Sequence, residues 1–135
     1  MGAAETTLME YDLPASAFTS PFETIRITAF GDFAANLNNK RLKVYFGSAI
    51  ILDTGVHAPN QKNWHIQSNI VSVGASAQHA STFIISDDSL IGTYSSAASP
   101  SEDSANSINI KVTGEGIADD DIIQNGFIVE WMRSA

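Results

Sequence analysis

Glu23-Thr24-Ile25-Arg26-Ile27-Thr28-Ala29-Phe30 decides the fold class of this chain. Successive side chains of an extended strand point to opposite faces. Ile25, Ile27 and Ala29 therefore share one face, and Arg26 and Thr28 share the other. The same period of two returns in Leu42-Lys43-Val44-Tyr45-Phe46 and in Ile108-Asn109-Ile110-Lys111-Val112-Thr113. Trp64-His65-Ile66-Gln67-Ser68-Asn69-Ile70 follows it, with Ser68 as the exception. Phe127-Ile128-Val129-Glu130-Trp131-Met132 puts Phe127, Val129 and Trp131 on one side, where Trp131, like Trp64, reads as a core residue.

Working outward, further strands are expected over 7–13, 49–53, 79–86 and 90–94. Turn signals punctuate them: Gly31-Asp32, Asn38-Asn39, Gly47-Ser48, Asp53-Thr54-Gly55, Pro59-Asn60, Gly74, Asp87-Asp88, Gly114-Glu115-Gly116 and Asn125-Gly126. No helical period of useful length competes; residues 33–37 come nearest and run into Asn38-Asn39. Many short, evenly spaced strands predict an all-β, jelly-roll-like antiparallel β-sandwich of about eight to nine strands. Residues 1–20 are less regular and read as an N-terminal strand or arm, with 21–135 forming the single sandwich domain. Residues 95–105, small and polar, read as a strandless surface loop.

Composition narrows the function. The chain has 135 residues, 44% hydrophobic and 16% charged, enough for one domain with its own core. It has no cysteine, which removes disulfides, thiolate metal sites and cysteine nucleophiles. Fifteen acids against seven bases give a net charge of −8, which opposes binding to a nucleic-acid backbone. No run approaches the ~18 apolar residues of a membrane span, and the first residues lack the basic and apolar regions of a secretory signal.

Catalytic chemistry finds no assembled set of groups. His57, His65 and His79 lie in no nucleophile motif and do not pair on one face, so neither a Ser-His arrangement nor a zinc site is expected. Asp119-Asp120-Asp121 lacks calcium-loop spacing and reads as a solvated turn. Asn38-Asn39-Lys40-Arg41 with Lys43 is the one basic cluster and reads as a hairpin turn, with docking of a small anion or acidic partner as its functional alternative. No catalytic residue, cofactor or metal is therefore assigned.

Apolar side chains on the second face of several strands point instead to association. Thr28 and Phe30, Phe83 and Ile85, and Ile128 and Met132 make that face more apolar than solvent requires. The candidate interface is Phe30, Phe83, Ile85, Ile128 and Met132. Leu8, Met9, Tyr11 and Leu13 join it on the N-terminal segment, where Glu5 to Leu13 would form an arm that reaches a binding surface or a neighbouring subunit by adding a strand to its sheet.

Three stretches carry a family likeness. They are Leu8-Met9-Glu10-Tyr11-Asp12-Leu13-Pro14-Ala15; Ile25-Arg26-Ile27-Thr28-Ala29-Phe30-Gly31 running into Asn38-Asn39-Lys40-Arg41-Leu42-Lys43-Val44-Tyr45-Phe46-Gly47; and Ile110-Lys111-Val112-Thr113-Gly114-Glu115-Gly116 with the Glu130-Trp131 end. This set resembles small β-sandwich structural proteins of tailed bacteriophages, which occur as head decoration (cement) proteins and as modules of tail fibres or tailspikes. The resemblance implies a jelly roll and a homotrimer, and it carries no catalytic residue. A chain that begins with Met and holds one domain without a shaft favours the decoration role. The expectation is a virion protein on the capsid surface, bound as a trimer to the major capsid protein and stabilising the shell. The alternatives are a receptor-binding or adaptor module of a tail fibre, or a carbohydrate-binding lectin-like domain.

Overall fold

The structure is a computed structural model and describes residues 4–18, 22–89 and 91–132. The described residues form nine strands and no helix: β1 (Thr6–Leu13), β2 (Thr24–Phe33), β3 (Arg41–Phe46), β4 (Ala49–Asp53), β5 (Asn63–Gly74), β6 (Ala77–Ser86), β7 (Thr93–Ala98), β8 (Ile108–Glu115) and β9 (Ile122–Met132). They make a four-stranded sheet, β1-β8-β3-β4, and a five-stranded sheet, β7-β6-β5-β2-β9. Every pairing is antiparallel. β1 lies beside β8 and β2 beside β9, so strands from the two ends of the chain are neighbours in both sheets of a β-sandwich. The hairpins β3–β4 and β5–β6–β7 each stay within one sheet.

The alternation read from the sequence is the alternation of burial. Along β3, Leu42, Val44 and Phe46 are buried while Arg41, Lys43 and Tyr45 are partly exposed. Ile25, Ile27 and Ala29 of β2 face Leu42, Val44, Ile110 and Val112 of the other sheet in one core. Fully burying each isoleucine, leucine or valine side chain of this set stabilises the fold by roughly 1.5–3 kcal/mol. Ser68, the polar exception on β5, is buried opposite Thr82 of β6, and the two hydroxyls satisfy each other at 2.8 Å. Trp64 is buried as expected. It packs at Gly31, where a Cβ would lie 2.7 Å from the indole Cζ2 and 1.9 Å from the Ile123 carbonyl oxygen.

Four expectations are corrected. Residues 95–98 belong to β7, an edge strand, and the loop begins only after Ala98. Small side chains carry no face pattern, but the backbone of β7 pairs with β6 from Thr93 to Ala98. Gly31-Asp32 and Asn125-Gly126 are not turns. Both lie inside strands, where the register of β2 against β9 shifts between Phe30 and Gly31. Glycine there serves close approach rather than chain reversal. Trp131 is 37% exposed, because β9 is the outermost strand of its sheet; its ring meets Tyr11 edge-on, centroids 6.2 Å apart.

Candidate interaction surface

The outer face of the five-stranded sheet gathers the second-face residues. Register places Ile128, Thr28, Gln67, Phe83 and Ser95 in one row across β9, β2, β5, β6 and β7. The next row is Gly126, Phe30, His65, Ile85 and Thr93. Ile128, Ile85 and Phe30 are 48%, 47% and 38% exposed, and Met132 is exposed at the end of β9. Phe83 is partly buried on the same face. Residues from three strands more than forty positions apart in sequence thus share one surface, with polar side chains interleaved between them.

Phe30 is held flat on this surface. Its ring stacks on His65 with 6.0 Å between centroids and 8° between planes. On its other side lies Gly126, where a Cβ would fall 2.2 Å from the Phe30 Cζ. The missing side chain of Gly126 is therefore the seat of the Phe30 ring. Arg26, in the row beyond, is oriented by Asn69 through Nε at 3.0 Å and stands opposite Glu130.

The N-terminal candidates sit elsewhere. Thr6–Leu13 pairs with β8 of its own chain, so this segment is the edge strand of the four-stranded sheet. Leu13 is fully buried, and its place in the candidate interface is withdrawn because its side chain belongs to the core. Leu8 and Tyr11 pack against that core, and Met9 is partly buried.

The basic cluster is also rearranged by folding. Lys40 is buried, and its Nζ donates to Asn36 Oδ1 at 2.8 Å, Asn36 O at 3.2 Å, Asn38 O at 3.0 Å and Pro59 O at 3.0 Å. Burial holds its pKa below the usual lysine value, partly offset by the charge of Asp121. Arg41 forks onto Asp53, and Lys43 reaches Glu115 and Glu5. The three cations are thus spent within the fold, and no free cationic patch remains at this cluster for an anion.

Asp121 corrects the reading of its triplet as a solvated turn. Asp119 and Asp120 are exposed, but Asp121 is fully buried. Its carboxylate accepts from the amides of Ile117 and Ala118 and from the side chains of Asn36 and Asn38. Burial alone would raise its pKa. The two amides and two asparagines outweigh that and hold it at about 2. No spacing rule finds this network, because Asn36 and Asp121 are 85 positions apart.

The histidines are dispersed. His57 Nε2 meets the Thr54 carbonyl at 2.8 Å, His65 lies under Phe30, and His79 Nδ1 is 3.3 Å from Ser99 Oγ. Among the described residues no three His, Asp or Glu side chains form a group able to hold a metal ion. No protein-family model, curated protein or solved structure matches the chain.

Proposed function

We propose that this chain is a non-catalytic structural protein of a tailed-bacteriophage virion. In this reading it decorates the outer capsid surface as a homotrimer and braces the shell. The observation that carries the association is the outer face of the five-stranded sheet, where Phe30, Phe83, Ile85, Ile128 and Met132 converge from β2, β6 and β9. The phage setting comes from the sequence resemblance.

Three copies around one axis close without open interfaces. Each copy then contacts the major capsid protein weakly, and the trimer contacts it tightly, because the second and third contacts form at high effective concentration. The acidic surface keeps such a protein soluble at high local density. Light scattering on the purified chain, followed by co-sedimentation with preformed shells, tests both halves. A trimer that adds to shells supports the reading; a monomer at tens of micromolar sinks the trimer.

A further inference from the structure

The edges of the two sheets approach each other where β4 meets β7. Asp53, Thr54, Gly55, His57, Ile91 and Tyr94 line an open depression there of about 440 Å³. That is within the range of small-molecule sites, roughly 300–1,000 Å³. We propose that this depression is a carbohydrate subsite that takes a neutral pyranose ring.

The wall is built before any ligand arrives. Tyr94 Oη donates to the Asp53 carbonyl at 2.9 Å, which fixes the ring on an otherwise exposed edge strand. The Asp53 carboxylate receives Arg41 Nε at 2.8 Å and the Gly55 amide at 2.9 Å. Thr54 Oγ1 accepts from the Leu42 amide at 2.9 Å and donates to Gly55 O at 2.8 Å. His57 is anchored by its backbone bridge to Lys40 and by Nε2 on Thr54 O. A carbonyl oxygen only accepts, so Nε2 carries a proton toward it.

The chemistry of the wall selects the ligand class. Arg41 and Asp53 neutralise each other, so the site favours neither an anion nor a cation. Tyr94 and Ile91 offer apolar surface to the C–H face of a ring. The Thr54 and Tyr94 hydroxyls and the His57 ring supply donor and acceptor capacity, while the Asp53 oxygens supply acceptors. A hydroxyl group both donates and accepts, and several on one rigid ring match this mixture.

The subsite goes beyond the assembly reading and does not depend on it. Tyr94 is in register with buried Ile84, so it leaves β7 on the side away from the outer face that carries Ile85 and Phe83. Amide NMR shifts of the full chain, titrated with methyl glucoside, methyl galactoside, methyl mannoside and N-acetylglucosamine, test it. Titration to about 100 mM reaches two decades above a millimolar dissociation constant. The expected result is saturable shifts at Asp53, Thr54, Gly55, His57 and Tyr94 with at least one pyranose, and none with glycerol. Tyr94→Ala abolishes them. Tyr94→Phe keeps the ring but frees it from Asp53, and weakens binding about fivefold. No saturable shift with any of the four sugars, shifts centred elsewhere, or unchanged binding by a folded Tyr94→Ala variant would overturn the proposal. The mass from light scattering reads the assembly separately.

Discussion

Lys40 and Asp121 are joined through one amide: Asn36 Oδ1 accepts from Lys40 Nζ at 2.8 Å, and Asn36 Nδ2 donates to Asp121 Oδ1 at 2.8 Å. Asn38 repeats the link with its carbonyl on Lys40 and its side chain on Asp121. Three loops, around residues 36–40, 57–61 and 116–122, are thereby tied at one end of the sandwich. The two asparagines supply to each ion part of the solvation that burial took from it.

Removing the ammonium should leave four oxygens facing a void and a buried carboxylate without its counter-charge. Lys40→Ala is expected to cost about 3–5 kcal/mol in urea unfolding. Methylammonium fits the void and donates three hydrogen bonds; tetramethylammonium has none to donate. The variant's Tm should rise more with methylammonium chloride than with the tetramethyl salt, relative to the parent chain. Equal responses would refute the account of the cage.

Acid should act on Asp121 with a defined sign. Its folded pKa of about 2 lies below the ordinary 3.8. The carboxylate therefore contributes stability that is fully present above its unfolded pKa and is lost as pH falls through its folded pKa. The loss should amount to roughly 2 kcal/mol between about pH 4 and pH 2. Asp121→Asn should be less stable at neutral pH and should lack that segment of the acid profile. Urea midpoints at pH 5, 3 and 2 read the difference.

The hydroxyl pair inside the five-stranded sheet should behave as one unit. Thr82→Val leaves Ser68 Oγ buried without its 2.8 Å partner, at a cost of about 1–3 kcal/mol. Adding Ser68→Ala removes the orphaned group and should recover most of that loss. A double variant no more stable than the single one would show that packing, not the hydrogen bond, sets the cost.

Gly126 and Phe30 should be coupled in the same way. Gly126→Val places a Cβ where the Phe30 ring lies and should destabilise by about 1–3 kcal/mol. In a Phe30→Ala background the same change should cost far less, since the space is then vacant. Additive effects in thermal unfolding would contradict the seating of the ring.

Ile85 and Ile128 test association apart from folding. Both are exposed, so Ile85→Asp and Ile128→Asp should change the stability of the isolated subunit by no more than about 0.5 kcal/mol. The assembled species should nevertheless dissociate, seen as a fall in light-scattering mass. Retention of the full mass by the double variant would move the interface to another surface.

Much of the fold is legible because a strand's face pattern is local. Ile25, Ile27 and Ala29 announce their burial by spacing alone, and Leu42, Val44 and Phe46 do the same. β7 is silent because Ser95, Ser96, Ala97 and Ala98 have too little side chain to mark a face. Its strand exists through backbone pairing with β6. Asn125-Gly126 misleads for the opposite reason: the glycine that signals a turn is needed to admit the ring of Phe30.

The sequence by itself determined the class of the fold and the set of second-face residues on β2, β6 and β9, since alternation needs only neighbours along the chain. Tertiary structure alone decided that Leu13 is core, that Trp131 stands at an edge and that Lys40 is buried. It also brought Arg41, Asp53, His57 and Tyr94 to one corner and set Asp121 against asparagines some eighty positions away. Those outcomes depend on which strands become neighbours and which end as edges. Such choices are made by the packing of one sheet on the other, and no local period records them.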